Sequence, residues 1–164
     1  MSDRNMPPGL RVAIGADRAG RQYMSVLRDD LRQNARVTSV INTSGDHPGA
    51  AAYPVIACEA ARLVVEGIVD RALLVCHTGL GMAIAANKVT GIRAVTAHDS
   101  LSVRASVESN NAQILALGQG VIGLAAARRL AAEWLTYRFE ATSTTAAKVD
   151  AITAYENRTR RHLL

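Results

Sequence analysis

The chain alternates between short runs of consecutive apolar residues and longer stretches in which apolar residues recur every three or four positions. Arg11-Val-Ala-Ile-Gly15 predicts a short buried strand running into a turn. Residues 22–33 put Tyr23, Val26, Leu27 and Leu31 on one side of a helix. Val37 to Ile41 predicts a second strand, and residues 42–52, rich in Gly, Ser, Asp and Pro, a loop. Pro54 fits the first turn of a helix running to about Glu66, with a stripe of Ile56, Cys58, Ala61 and Val65. Arg71 to Cys76 predicts a third strand, 77–81 a turn, and 82–87 a helix. A fourth strand is expected over 92–96, a helix over 100–108, and a fifth strand over 113–117 with Gly118 after it. Residues 123–137, carrying Trp134, predict a long helix, and residues from about 144 to 161 a last one.

Five apolar strands separated by helices specify an α/β protein with a parallel sheet covered on both faces. In such a sheet ligands bind beyond the carboxyl ends of the strands. The residues to inspect are therefore Asp17 and Arg18, Cys76 to Met82, His98 and Asp99, and Gly118 to Gly120.

The length, 164 residues, suits one domain spanning 1–164, with residues 1–10 as a flexible N-terminal segment. Hydrophobic residues at 49% and charged residues at 20% are globular values, which excludes wholesale disorder. Alanine is abundant, with 29 residues, and only six residues are aromatic, too few for the stacking platforms that bind single-stranded nucleic acid. The net charge of +5 comes from 17 Arg and 2 Lys and points only weakly to an anionic partner. Arg158, Arg160 and Arg161 read as a solvated helix end, not a nucleic-acid arm. Two cysteines cannot build a disulfide framework, and the polar N-terminus has no apolar core of a signal peptide, so the expected compartment is the cytoplasm. No stretch approaches 18 consecutive apolar residues, so no membrane span is expected. The four histidines His47, His77, His98 and His162 lie far apart without ligand spacing, so no metal site is expected.

The richest segment is Cys76-His-Thr-Gly-Leu-Gly-Met-Ala-Ile-Ala-Ala-Asn-Lys88. A cysteine ends a buried strand, and Gly79 and Gly81 let the backbone turn and approach a ligand closely. The free N–H groups of a helix start can hold an anion and would make Cys76 a better base or nucleophile. The competing account is a buried, inert cysteine beside a tight turn. The loop is neither a dinucleotide fingerprint, since Ile84 stands where a third glycine would be, nor a Walker loop, since no Gly-Lys-Ser/Thr follows. Cys58, on the apolar stripe of its helix, reads as core.

The segments Gly15-Ala-Asp-Arg-Ala-Gly20, Tyr53-Pro54, Cys76–Lys88, Gly91-Ile-Arg-Ala94, Ser109-Asn-Asn-Ala112 and Val149-Asp-Ala-Ile152 occur in this order. Together they resemble the ribose-5-phosphate isomerase B and galactose-6-phosphate isomerase family over about residues 11–157. The resemblance implies a Rossmann-like three-layer αβα sandwich with a five-stranded parallel sheet. It further implies a cofactor-independent aldose–ketose isomerase of a phosphorylated sugar, working as a homodimer or homotetramer with active sites at the subunit interface. By that resemblance Cys76 is the base and Thr78 polarises the thiol or binds a hydroxyl. The backbone of His77, Gly79, Leu80, Gly81 and Met82 lines an oxyanion hole, while Asp17 and Asn110 contact substrate.

Four departures from the family's pattern bear on substrate. Arg18 replaces a histidine near the phosphate and can bind phosphate through two parallel bonds. His77 replaces a glycine. It is strained if the turn needs a positive φ, and otherwise its imidazole enters the site as an extra donor. Ser109 replaces the histidine credited with opening the furanose ring. His98-Asp99 either substitutes for that histidine or caps the next helix. Gly120 and Thr144 stand where arginines are usual, and Lys148 holds the place of another phosphate-binding arginine, keeping charge but losing the bidentate fork. A tetrose 4-phosphate cannot close a furanose ring, because its C4 hydroxyl is esterified. The tetrulose-phosphate branch, converting erythrulose 4-phosphate and erythrose 4-phosphate, therefore stands beside ribose 5-phosphate as the expected substrate. The alternative to an enzyme is a non-catalytic sugar-phosphate-binding subunit of a hetero-oligomer, and a nucleotide-binding regulatory domain lacks every nucleotide motif.

Overall fold

The computed structural model describes residues 9–45 and 52–161. Nearly all of the expected flexible N-terminal segment, the second half of the 42–52 loop with His47, and His162 lie outside the described residues. The elements are β1 (Leu10–Ala16), α1 (Arg21–Gln33), β2 (Val37–Asn42), α2 (Tyr53–Val65), β3 (Arg71–Cys76) and α3 (Leu80–Ala86). Then follow β4 (Ala94–Thr96), α4 (Ser100–Glu108), β5 (Ile114–Gly118), α5 (Leu124–Trp134) and α6 (Ala146–Arg161). All strand pairings are parallel, in the order β2-β1-β3-β5-β4. Every residue of the central strand β3 is buried, so its carboxyl end emerges at the middle of the sheet.

Successive side chains of a strand face opposite ways, and the two faces are packed differently. On one face Val12, Ile14, Leu73, Val75, Leu115 and Leu117 meet Leu27 and Leu31 of α1, Val103 and Val107 of α4, and Leu130 and Trp134 of α5. On the other face the strands present Ala13, Ala72, Ala94 and Ala116, and α2 and α3 answer with Ala57, Ala60, Ala61, Ala83 and Ala86. Much of the chain's alanine is used there. Small residues line much of this interface from both sides.

The element types match the expectation, and the differences are local. On α1 the buried stripe is Met24, Leu27 and Leu31, while Tyr23 and Val26 are half-buried. On α2 Ile56, Ala57, Ala60, Ala61 and Leu63 face inward, and Val65, expected on that stripe, is 53% exposed. Cys58 is half-buried and donates its S–H to the Ala85 carbonyl at 3.6 Å, so it seals the contact between α2 and α3 instead of sitting in the core. β4 begins at Ala94 and not at 92, because the Arg93 N–H is taken by the Gln113 side chain at 2.8 Å. No helix among the described residues is long and apolar enough to cross a membrane.

The largest difference is at α5, which stops at Trp134 and not at Tyr137. Arg71, at the start of β3 and only 7% exposed, donates to the carbonyls of Trp134 and Tyr137, both at 2.6 Å. Its guanidinium also stacks on the Trp134 ring, 5.3 Å from the centroid. Burial, with Arg138 nearby, pushes the Arg71 guanidinium down to about 10, and Asp70 opposes the shift. The buried cation thus satisfies carbonyls that a helix end leaves orphaned.

Arg71→Leu is expected to destabilise the fold by about 2–4 kcal/mol, because it strands the buried Trp134 carbonyl, removes one of two donors to the Tyr137 carbonyl and loses the stacking contact. Arg62 bridges Glu59 and Glu66 on the exposed side of α2, and Arg62→Leu should leave the unfolding midpoint almost unchanged. Urea denaturation of the two variants checks the contrast. Equal losses would show that burial is not what makes Arg71 matter.

Candidate active site

Cys76 ends the central strand with its side chain on the α2/α3 face, 6% exposed. The chain must leave β3 and enter α3 within three residues. Gly79 makes this possible with φ +82, a left-handed conformation that glycine adopts freely. The reversal turns the Gly79 N–H back onto the strand it has just left, where it donates to Cys76 Sγ at 3.1 Å. Thr78 Oγ1 accepts the Leu80 N–H at 3.3 Å, which leaves its own hydroxyl proton to be donated elsewhere. Thr96, the last residue of β4, donates to the Gly79 carbonyl at 3.0 Å and holds the turn from the side. Gln119 and Gly120 donate their N–H groups to the carbonyls of Cys76 and His77, both at 2.9 Å. His77 does not have a positive φ, so the strained alternative does not apply; its imidazole is exposed and lies over Gly120.

His98 has a structural partner at this edge. Gly118 is in register with Cys76, but β4 leaves the ladder after Thr96, so Gly118 has no strand acceptor on that side. His98 Nε2 accepts the Gly118 N–H at 2.8 Å. The nitrogen that accepts carries no proton, so the neutral ring holds its proton on Nδ1. Burial lowers the His98 pKa, against the pull of Asp99. Asp99 is the N-cap of α4 and accepts the Ser102 N–H at 2.8 Å. The His98-Asp99 pair therefore does cap the next helix, and its histidine completes the sheet edge as well.

Asp17 follows β1 on the same edge. Its Oδ1 accepts the N–H groups of Ala19 and Gly20, at 3.0 and 3.2 Å, which fixes the carboxylate at the rim. Arg18 beside it is exposed. Gly81 and Met82 lie in the first turn of α3, within the helix and not in the turn before it, and the Tyr53 ring covers Gly81. Leu80, 57% exposed, points outward.

Three of the sequence-selected residues lie elsewhere. Ser109 is the C-cap of α4, and Asn110 follows it, ahead of β5. They stand at the amino edge of the sheet, with the length of β5, about 13 Å, between them and the Cys76 edge. Lys148 is exposed in the first turn of α6. Farther along α6 the Glu156 carboxylate accepts the Gly91 N–H at 3.0 and 3.1 Å, which ties the helix to the segment leading into β4, again at the amino edge. One chain therefore holds Cys76, Thr78, His77, Asp17, Arg18 and His98 on one edge and Ser109 and Asn110 on the other.

Sequence reasoning missed Thr96 and Tyr53 as parts of the site. Thr96 is inside a strand and escapes a search of the residues that follow strands. Tyr53 carries no signal except its place in a motif. Among the described residues no group of three or more His, Cys, Asp or Glu side chains could hold a metal ion.

Comparison with known proteins adds to this geometry. The model of the Ribose/Galactose Isomerase family matches residues 12–152. The chain is 53% identical to D-erythrulose-4-phosphate isomerase 2 of Mycolicibacterium smegmatis, over 90% of this chain and 97% of that one. It is 39% identical to D-erythrulose-4-phosphate isomerase of Pectobacterium atrosepticum, over 90% and 96%. The solved ribose-5-phosphate isomerase B of Clostridium thermocellum superposes with a TM-score of 0.85 at 35% identity, covering 92% of this chain and 99% of that one.

The folded-state pKa of His98 lies below 6.5, so the unfolded chain takes up that proton first as pH falls. The contribution of His98 to stability is complete above about pH 6.5 and is lost as pH drops through the window below it. At pH near 7.5, His98→Ala should cost about 1–2 kcal/mol, the cost of an unpaired Gly118 N–H. His98→Ala should also lose stability less steeply on acidification than the wild type does. Denaturant midpoints at several pH values test both parts, and parallel acid profiles would show that His98 does not titrate in step with unfolding.

Proposed function

Because this chain belongs to the ribose/galactose isomerase family, we propose that it interconverts D-erythrulose 4-phosphate and D-erythrose 4-phosphate with Cys76 as the base. Sugar-phosphate isomerase activity is what its relatives are named for, in both the tetrose and the pentose branch. The observation that carries the mechanism is the buried thiol of Cys76 at the end of the central strand, met by the Gly79 N–H at 3.1 Å. Two features favour the four-carbon substrate. Ser109 stands where the resemblance places a ring-opening histidine, and a tetrose 4-phosphate has no furanose ring to open. The relative at 53% identity is named for erythrulose 4-phosphate.

In this reading the Cys76 thiolate takes the proton from C2 of the aldose, and the electron pair moves through C1–C2 onto the C1 oxygen. The enediolate oxyanion lies against the N–H groups of the first turn of α3, where one aimed donor is worth about 3 kcal/mol. The Thr78 hydroxyl serves the O1 and O2 oxygens, whose proton shifts as the double bond moves. Cys76 then returns a proton to C1, which gives the ketose with no net redox change and no cofactor. Asp17 holds a sugar hydroxyl, and Arg18 draws in the phosphate. His98, with Nε2 committed to Gly118, supports the edge of the site. The free thiols Cys58 and Cys76 suit a cytoplasmic enzyme.

The split between the two sheet edges supports assembly of the active site from two copies. Asn110, Ser109 and Lys148 of one protomer would complete the Cys76 edge of another, and a two-fold axis would build two such sites in a homodimer.

Isomerisation in D₂O tests the reaction. With erythrose 4-phosphate the protein should place solvent deuterium at C1 of the ketose and C2 of the aldose, and Cys76→Ala should abolish this without changing the fold. Binding with no exchange would favour a non-catalytic subunit. Mixing Cys76→Ala with Asn110→Ala protein, after dissociation and reassembly, should restore activity that neither variant has alone. Failure to restore it would rule out a shared site.

A further inference from the structure

We propose that His77 and Gly120 together form a length gauge that selects a four-carbon over a five-carbon sugar phosphate, a proposal that rests on Cys76 being the reacting base. His77 directly follows Cys76, and its carbonyl accepts the Gly120 N–H at 2.9 Å, so the two residues face each other across the carboxyl ends of β3 and β5. The imidazole lies over Gly120. A side chain there would begin 2.3 Å from Cε1, 2.6 Å from Nδ1 and 2.8 Å from Nε2, closer than any two such atoms approach. Position 120 can therefore be occupied only if the His77 ring moves. As the ring stands, position 120 has no room for a side chain, and the group at this rim is the imidazole of the residue that follows the base.

The His77 imidazole is exposed, and neither of its ring nitrogens has a hydrogen-bond partner among the described residues. It is not consumed in holding the turn, because the turn is held by the backbone of residues 119 and 120, by Thr96 and by Gly79. A free donor beside Cys76, placed by a neighbour that has given up its side chain, is available to a ligand.

The chemistry of the substrate says what that position measures. The reacting carbons C1 and C2 must sit at the Cys76 sulfur whatever the sugar. The phosphate then lies one carbon nearer to Cys76 in a tetrose 4-phosphate than in a pentose 5-phosphate. The exposed His77 ring, at the rim over Gly120, is the group assigned to meet the nearer phosphate. The same ring stands in the path of the longer chain. His77 thus supplies a contact to the short substrate and a steric penalty to the long one, and discrimination by one carbon unit is typically in the range of about 10–200-fold.

The test compares kcat/KM for erythrose 4-phosphate and ribose 5-phosphate in the wild type, His77→Gly, His77→Gln and Gly120→Ala. The wild type should favour the tetrose. His77→Gly should lower the tetrose-to-pentose ratio by about tenfold or more, chiefly through a higher KM for the tetrose. Gly120→Ala should push the ring aside and move the ratio in the same direction. His77→Gln, which keeps a donor at similar reach, should retain most of the preference. An unchanged ratio in both His77→Gly and Gly120→Ala, with deuterium exchange intact, overturns the gauge and leaves Cys76 as base. Loss of exchange with every sugar in the wild type itself would overturn the isomerase reading and the gauge together. If Gly120→Ala does not fold by circular dichroism, His77→Gly decides alone, since it alters no packed backbone.

Discussion

A thiol can be buried at the end of a central strand and still face a ligand only if the chain reverses direction beside it at once. That reversal is at Gly79, in a backbone conformation that a side chain would strain and for which there is no room beside Thr96. The one turn brings the Gly79 N–H to the sulfur, starts α3, and leaves the first-turn amides facing the space where substrate charge would develop. Thr96 and the backbone of residues 119 and 120 act on the same three residues from two other strands. The site's precision is therefore a property of the sheet edge as a whole, which a loop of this length could not achieve alone.

The elements and most of the Cys76 edge were legible in the sequence, because strand periodicity, glycine spacing and the position of a residue after a strand are local signals. Helix limits were less legible where a distant residue decides them. Nothing near Trp134 announces that Arg71, 63 positions earlier, will claim its carbonyl and end α5. Exposure on α2 misled for a related reason: Val65 is apolar and well spaced, yet it falls beyond the width of the layer it was expected to cover. His77 and Gly120 looked like two unrelated departures from a family pattern. Only the fold shows them in contact, since their sequence separation hides a distance set by strands β3 and β5 lying side by side. The role of His98 was similarly hidden, because it depends on β4 ending two residues before its neighbour does.

The placement of Ser109 and Asn110 on the far edge follows from parallel topology. Segments that enter strands and segments that leave them are held apart by the length of the strand, so no flexing of one chain brings them together. In the proposed dimer, a second copy turned through a half-rotation would overcome that separation without any change within a chain. Asn111, with φ +50, is the only non-glycine residue with a positive φ among those described, and it sits beside Asn110. Its carbonyl accepts from Arg93 Nε at 2.9 Å, so the segment is anchored.

The two faces of the sheet also set different rules for how this protein can change over generations. Under α1, α4 and α5 the packing relies on large side chains, so truncations open voids there. Under α2 and α3 many of the packed positions are fully buried alanines, where an added methylene is expected to overpack the layer. The Cys76 edge rests on that second layer. New substrate preferences should therefore arise at rim positions such as 77 and 120, which overlie the layer without being part of it, while the alanines beneath remain nearly frozen.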